Sequence, residues 1–219
     1  MTTWTPEQRA QRVDAVLARA PVVPVLSIDR LEDAVPLARA LVGAGLPVLE
    51  VTLRTAVALE AIRCIRDALP EACVGAGTVL TAADLTAVEA AGAAFAISPG
   101  ATDTLYAAAD SAGIPLLPGI ATASDLMRGL ERGYRRFKFF PAESSGGIAA
   151  LRAFAGPFAQ ARFCPTGGID VDKAPAYLQL PNVIAVGGSW MVPADALAAG
   201  DWDRIAVLAS RAAALRSSR

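Results

Sequence analysis

Hydrophobic residues gather in eight short runs: Val22–Leu26, Val48–Leu53, Val74–Ala76, Phe95–Ile97, Leu116–Leu117, Arg136–Phe140, Arg162–Cys164 and Val183–Val186. Between them, alanine-rich stretches repeat apolar positions at helical spacing and predict helices near 30–43, 55–68, 81–91, 102–112, 122–132, 148–155 and 171–179. An amphipathic helix from Thr5 to about Ala20 opens the chain, with Thr5 as N-cap and Pro6 in the first helical position. A last helical region runs from about 194 to the C-terminus. Short strands alternating with helices are the pattern of a parallel sheet. Eight such repeats close naturally into a (β/α)8 TIM barrel, and 219 residues fit that fold's compact range as one domain. The expected division is a helix at about 5–20 and a barrel at about 22–216. An open doubly wound sheet is the alternative, but the turn Gly75-Ala76-Gly77 lacks the third glycine of a dinucleotide-binding fingerprint.

Two runs break their own apolar pattern. In Arg136-Phe137-Lys138-Phe139-Phe140-Pro141, alternation puts Phe137 and Phe139 on one face and Lys138 on the other, and Pro141 ends the ladder. The chain has only two lysines, Lys138 and Lys173, and arginine fills every other basic position. Arginine stays protonated, whereas lysine can lose its proton and attack a carbonyl, so Lys138 is the candidate Schiff-base nucleophile. The plainer alternative is a lysine whose stem packs while its ammonium reaches water.

In the second run, Leu49, Val51 and Leu53 share the face suited to helices, which leaves Glu50, Thr52 and Arg54 facing the barrel interior. A glutamate inside a strand needs a partner or a task, because an unpaired buried charge is costly. Layers in this fold come from alternate strands, so Glu50 and Lys138, on the second and sixth, are expected to meet. A Glu50–Arg54 or Glu50–Lys138 ion pair that only fills space is the structural alternative.

Composition narrows the chemistry. There is no histidine, which removes His-dependent triads and His-rich zinc sites and leaves proton transfer to carboxylate, tyrosine, lysine and water. The formal charge of −1, with mixed signs, argues against a nucleic-acid or anionic-membrane surface. No apolar run reaches the length of a membrane span, and the polar start Thr3-Trp4-Thr5-Pro6-Glu7-Gln8 does not read as a secretory signal. Cys64, Cys73 and Cys164 are odd in number and lack metal-ligand spacing, which suits a reducing cytoplasm.

Sites in such barrels lie at the C-terminal strand ends. Arg54 there can hold a carboxylate with its planar fork, and Thr78 can add a hydroxyl or simply cap the next helix. Thr166-Gly167-Gly168 follows the seventh run and Gly187-Gly188-Ser189 the eighth, and the loops after those strands are the usual phosphate site of the fold. Ser98-Pro99-Gly100, Leu117-Pro118-Gly119, Phe140-Pro141-Ala142 and Cys164-Pro165-Thr166 form a weak repeat of proline at strand ends, which ordinary turn chemistry also explains.

Together, Leu49-Glu50-Val51-Thr52-Leu53-Arg54, Val74-Gly75-Ala76-Gly77-Thr78, Ile97-Ser98-Pro99-Gly100, Phe137-Lys138-Phe139-Phe140-Pro141-Ala142-Glu143, Cys164-Pro165-Thr166-Gly167-Gly168 and Gly187-Gly188-Ser189-Trp190 resemble the KDPG/4-hydroxy-2-oxoglutarate aldolase family (KDPG is 2-keto-3-deoxy-6-phosphogluconate). The resemblance implies a (β/α)8 barrel, a homotrimer, no metal or organic cofactor, and cleavage of 2-dehydro-3-deoxy-6-phosphogluconate to pyruvate and glyceraldehyde 3-phosphate. It implies Lys138 as Schiff-base lysine and Glu50 as general acid–base acting with a water, with Arg54 and Thr78 at the pyruvyl carboxylate. Thr166, Gly167, Gly168, Gly188 and Ser189 would line the distal phosphate end, and Pro99 and Phe140 would wall the pocket. It also implies side activity on 4-hydroxy-2-oxoglutarate. Two alternatives keep the fold: an aldolase acting mainly on the galactonate epimer or on 4-hydroxy-2-oxoglutarate, and a non-catalytic phosphosugar-binding barrel. A metal-dependent aldolase would need ligands that this sequence does not cluster.

Overall fold

The computed structural model describes residues 4–215. The opening helix α1 (Pro6–Leu17) begins in the expected capping box, where the Thr5 side chain accepts from Gln8 N–H, and it stops three residues short of the expected end. Strands and helices then alternate: β1 (Val22–Leu26), α2 (Ala34–Gly43), β2 (Val48–Thr52), α3 (Ala58–Ala68), β3 (Cys73–Gly77), α4 (Ala82–Ala90), β4 (Ala96–Ile97) and α5 (Asp103–Ala109). There follow β5 (Leu116–Leu117), β6 (Gly119–Ile120), α6 (Ala123–Glu131), β7 (Arg136–Phe139), α7 (Gly147–Ala155), β8 (Arg162–Pro165) and α8 (Ala174–Leu178). The last elements are β9 (Val186–Gly188), α9 (Ala194–Ala199) and α10 (Trp202–Ala213). Among the described residues, no helix is long and apolar enough to cross a membrane.

The strands are parallel and the sheet is curled. Six strands pair in the order β5-β4-β3-β2-β1-β9, and three in the order β6-β7-β8. Single bridges, Phe163 with Val183 and Thr166 with Gly187, link the β8 side to the β9 side. Only Pro118 separates β5, which pairs with β4, from β6, which pairs with β7. A proline has no N–H to give to a ladder, so the fifth run serves one neighbour before Pro118 and the other after it.

Two layers of core result from strict alternation along the strands. Leu49, Val51, Val74, Ala76, Phe137 and Phe139 pack outward with the helices. Val23, Val48, Cys73, Phe95, Leu117 and Cys164 pack inward, where Val13 and Leu17 of α1 close the end from which the strands start. The opposite end, at the strand C-termini, stays open to carry side chains with chemistry.

Two expectations are corrected, and one alternative falls. The eighth strand is not Val183–Val186 but Val186–Gly188, because pairing of Val186, Gly187 and Gly188 with Val22, Val23 and Pro24 sets its position. The final helical region is two helices: Gly200 takes a left-handed φ of 66°, and the Asp201 side chain caps α10 by accepting from Arg204 N–H at 3.1 Å. Residues 216–219 of that expected region, like Thr3 of the N-terminal stretch, lie outside the described residues. Thr78 does not cap a helix, since Thr81 is the N-cap of α4.

Candidate active site

The register of β2 aligns Glu50 with Val25 of β1 and Gly75 of β3, and the register of β7 aligns Lys138 with Gly119 of β6 and Cys164 of β8. Alternation turns both charged side chains into the curled interior. There Lys138 Nζ donates to Glu50 Oε1 at 2.8 Å, 88 residues apart in sequence. Lys138 is 5% exposed and Glu50 1%, so the pair is taken almost wholly out of water. Breaking such a pair by deleting one partner leaves an uncompensated buried charge, which costs about 3–5 kcal/mol. Arg54 is not Glu50's partner, so of the two ion pairs considered, the one with Lys138 forms. Room for it comes from Gly77: a Cβ at that position would overlap the Glu50 carboxylate.

Cys164 is the pair's other polar neighbour. Burial, the largest influence, pushes its thiol up to about 12, with Lys138 pulling the other way and Glu50 adding to the rise. It therefore stays a neutral S–H and competes neither as nucleophile nor as charge. Thr52, the remaining inward polar residue of β2, is spent structurally, its hydroxyl donating to Leu26 O at 2.9 Å.

Beyond the pair, towards the strand C-termini, lies a cavity of about 370 Å3. Arg54, Phe140, Thr166, Gly167, Gly168, Gly188 and Ser189 all line it. Phe140 joins the cavity to the buried pair, because Lys138 Nζ lies 5.3 Å from its ring centroid, within cation–π range. Arg54 has no carboxylate partner among the described residues, so its guanidinium is available to an anion. The N–H groups of Gly168, Ile169 and Ser189, among the described residues, donate to no protein acceptor. Gly167 (φ 107°) and Gly168 (φ 76°) hold a turn that other L residues rarely adopt. Gly188 has a different reason to be glycine, because a Cβ there would run into the Trp190 ring.

Two expected binding residues, like the Lys138–Glu50 pair beneath it, do not line this cavity. Thr78 is half-buried just after β3 with a φ of 59°, unusual for a β-branched residue and a strained conformation of the kind that collects at functional sites. Pro99 is half-buried after β4, its backbone against Gly119. The cavity also takes in Val25, Ser27 and Asp29 at the end of β1, which the sequence reading missed. Val22–Leu26 carries no polar residue to mark its inner face, and Ser27 and Asp29 look like ordinary turn residues.

The arrangement combines a buried amine, a carboxylate in contact with it and an anion-binding rim. A primary amine so placed can capture a ketone as an imine while the carboxylate moves protons. Comparison with known proteins places the chain among aldolases. A family model described as KDPG and KHG aldolase matches residues 13–208. The 2-dehydro-3-deoxy-phosphogluconate aldolase of Dickeya dadantii (strain 3937) is 57% identical over 201 residues, 92% of this chain and 94% of its own. The structure of KDPG aldolase from Legionella pneumophila, with pyruvate captured at low pH as a covalent carbinolamine intermediate, superposes with a TM-score of 0.90 at 50% identity, covering 92% of this chain and 98% of that one. The Zymomonas mobilis ZM4 2-keto-3-deoxy-6-phosphogluconate aldolase with 3-phosphoglycerate gives a TM-score of 0.89 at 51% identity, covering 94% and 97%. With an inward lysine–carboxylate pair, an anion-ready rim and matches that span nearly its whole length, this chain belongs to the KDPG and KHG aldolase family.

Proposed function

We propose that the chain is a class I lyase, a Schiff-base aldolase cleaving 2-dehydro-3-deoxy-6-phosphogluconate to pyruvate and D-glyceraldehyde 3-phosphate without metal or organic cofactor. One observation carries the reading: the buried 2.8 Å contact between Lys138 Nζ and Glu50 Oε1, below a cavity edged by Arg54 and unpaired loop N–H groups. Glu50 takes a proton from Lys138, and the freed amine attacks the C2 ketone. Glu50 then protonates the departing hydroxyl, so that water leaves and an iminium remains. Through a water, Glu50 removes the C4 hydroxyl proton, the C3–C4 bond breaks, and its electrons flow into the iminium as an enamine. The aldehyde departs, C3 is reprotonated, and hydrolysis releases pyruvate and Lys138. Arg54 and Thr78 hold the pyruvyl carboxylate. Thr166, Gly167, Gly168, Gly188 and Ser189 line the distal phosphate end, and Pro99 and Phe140 wall the pocket.

Borohydride added with pyruvate should fix the imine, and mass spectrometry should find the adduct on Lys138. Lys138→Met should give no adduct and lose at least about 10³-fold in kcat, as removal of a covalent nucleophile does. Full cleavage activity in Lys138→Arg would overturn the mechanism. The matched family description also names KHG aldolase, which favours 4-hydroxy-2-oxoglutarate as a second substrate. Comparing kcat/KM for it, for KDPG and for the galactonate epimer ranks the three.

The curled sheet is a closed (β/α)8 barrel in one domain over 1–219, supported by the two neighbours served across Pro118 and by the bridges between the β8 and β9 sides. The ends of that span, 1–3 and 216–219, lie outside the described residues. A homotrimer working in the cytoplasm is the assembly and compartment we assign, on the resemblance and on the three unpaired cysteines.

A further inference from the structure

Lys173, the chain's second lysine, takes no part in the chemistry above, yet it binds the loop that the distal anion needs. Its ammonium meets three acceptors: Gly168 O at 2.8 Å, Asp170 Oδ2 at 3.3 Å and Glu143 Oε2 at 3.4 Å. The two carboxylates, Asp170's first, raise Lys173 above the ordinary lysine range, so it stays charged. Glu143 is itself anchored, accepting from the hydroxyl of buried Tyr177. Its backbone N–H also donates to Gly167 O at 3.1 Å. Lys173 therefore ties the loop after β8 to the loop after β7. A compact ammonium with rotatable donors suits three scattered acceptors in a way that the planar fork of arginine does not.

The consequence lies in one peptide plane. Among the described residues the only cis bond is Phe140–Pro141, so Gly168–Ile169 is trans and its C=O and N–H point in opposite directions. Gly168 and Ile169 line the cavity, whereas Lys173 stands outside it. Resting on the function proposed above, we infer that Lys173 is a positioning residue for the substrate phosphate: by holding the Gly168 carbonyl outward it turns the Ile169 N–H inward as a fixed anion donor. Lys173 never touches the reacting atoms and is half-exposed, so its own ion pairs add little stability.

The test compares 2-keto-3-deoxy-6-phosphogluconate with 2-keto-3-deoxygluconate, which differs only by the phosphate. In Lys173→Met the KM for the phosphorylated substrate should rise about 3- to 10-fold, the worth of one oriented hydrogen bond, with kcat kept. The KM for the unphosphorylated substrate and the melting temperature should stay put. Equal changes in both KM values, or none, would overturn the proposal. Lys173→Arg keeps the charge but not the three-acceptor geometry, so full recovery of phosphate preference in that variant would assign the effect to charge alone and also overturn it. Borohydride trapping with pyruvate on the same samples separates the two readings: wild type that fails to trap fails as an aldolase, whereas Lys173→Met that traps without losing phosphate preference refutes only the positioning role.

Discussion

At the residue scale the site depends on what is missing as much as on what is present. Glu50 reaches Lys138 because Gly77 offers no side chain in the space its carboxylate fills. Gly77→Ala should therefore displace the carboxylate while leaving Lys138 in place. Misplacement of a proton-transferring group by about 1 Å costs up to about 10²-fold, so kcat should fall about 10- to 100-fold. The pyruvate adduct should still form on borohydride treatment, more slowly, and an unchanged kcat would show that Glu50 needs no such room. The pair itself was legible in sequence, because period-2 alternation assigns Glu50 and Lys138 their faces without any knowledge of neighbours. Gly77's role was not, because it depends on which residue the next strand lays beside it. Nor was the left-handed backbone of Thr78, a conformation that a β-branched residue adopts only when its surroundings impose it.

At the element scale, apolar runs located strands well wherever side chains mark them and poorly where glycine or proline forms the ladder. Gly119–Ile120 was hidden behind a proline read as a terminator, and Val186–Gly188 behind two glycines that carry no hydrophobic signal. The split between α9 and α10 was readable in Gly200-Asp201, a helix stop followed directly by a cap, but alanine on both sides made the region look continuous. The role of α1 was also invisible, because amphipathicity reveals an apolar face without revealing what it meets. That face closes the end of the sheet away from the site: Leu17 is 2% exposed in the inner core, and Asp14 accepts from Arg136 Nε at 2.5 Å and Nη2 at 2.6 Å. Leu17→Ala should cost about 3 kcal/mol. For a chain of this size that lowers Tm by roughly 6–12 °C. The kcat should be unaffected, since the chemistry lies at the other end of the strands. A Tm within a degree of wild type, measured by calorimetry, would mean that α1 lies on the sheet without sealing it.

At the scale of the whole molecule, pH response follows from which titratable groups the fold keeps neutral. With no histidine, no imidazole titrates between about pH 5 and 8, so stability should be level there. The alkaline limb is different. All three tyrosines are pushed up: Tyr134 to about 12 and Tyr106 further, both mainly by burial, and Tyr177 by burial and then by its hydrogen bond to Glu143. Tyr134 packs its ring 5.0 Å from that of Tyr106 and accepts from Arg9 of α1 at 2.8 Å; Arg9 pulls its pKa down, but burial outweighs it, so ionisation would put charge into a dry contact. A group whose folded pKa is raised stabilises the fold fully below its unfolded value and loses that contribution as pH climbs through the folded one. For Tyr134 the window opens at the ordinary tyrosine value of 10.0 and closes near 12, and Cys164 adds a loss from 9.0 to about 12. Stability should therefore fall steadily across that window. Because no tyrosine is left to titrate normally, tyrosinate absorbance should stay flat through pH 10.0 and then rise in one step with loss of helical circular dichroism. A smooth tyrosinate titration centred near 10.0, in protein that keeps its circular dichroism, would show these rings open to water and the plugged end of the sheet loosely packed.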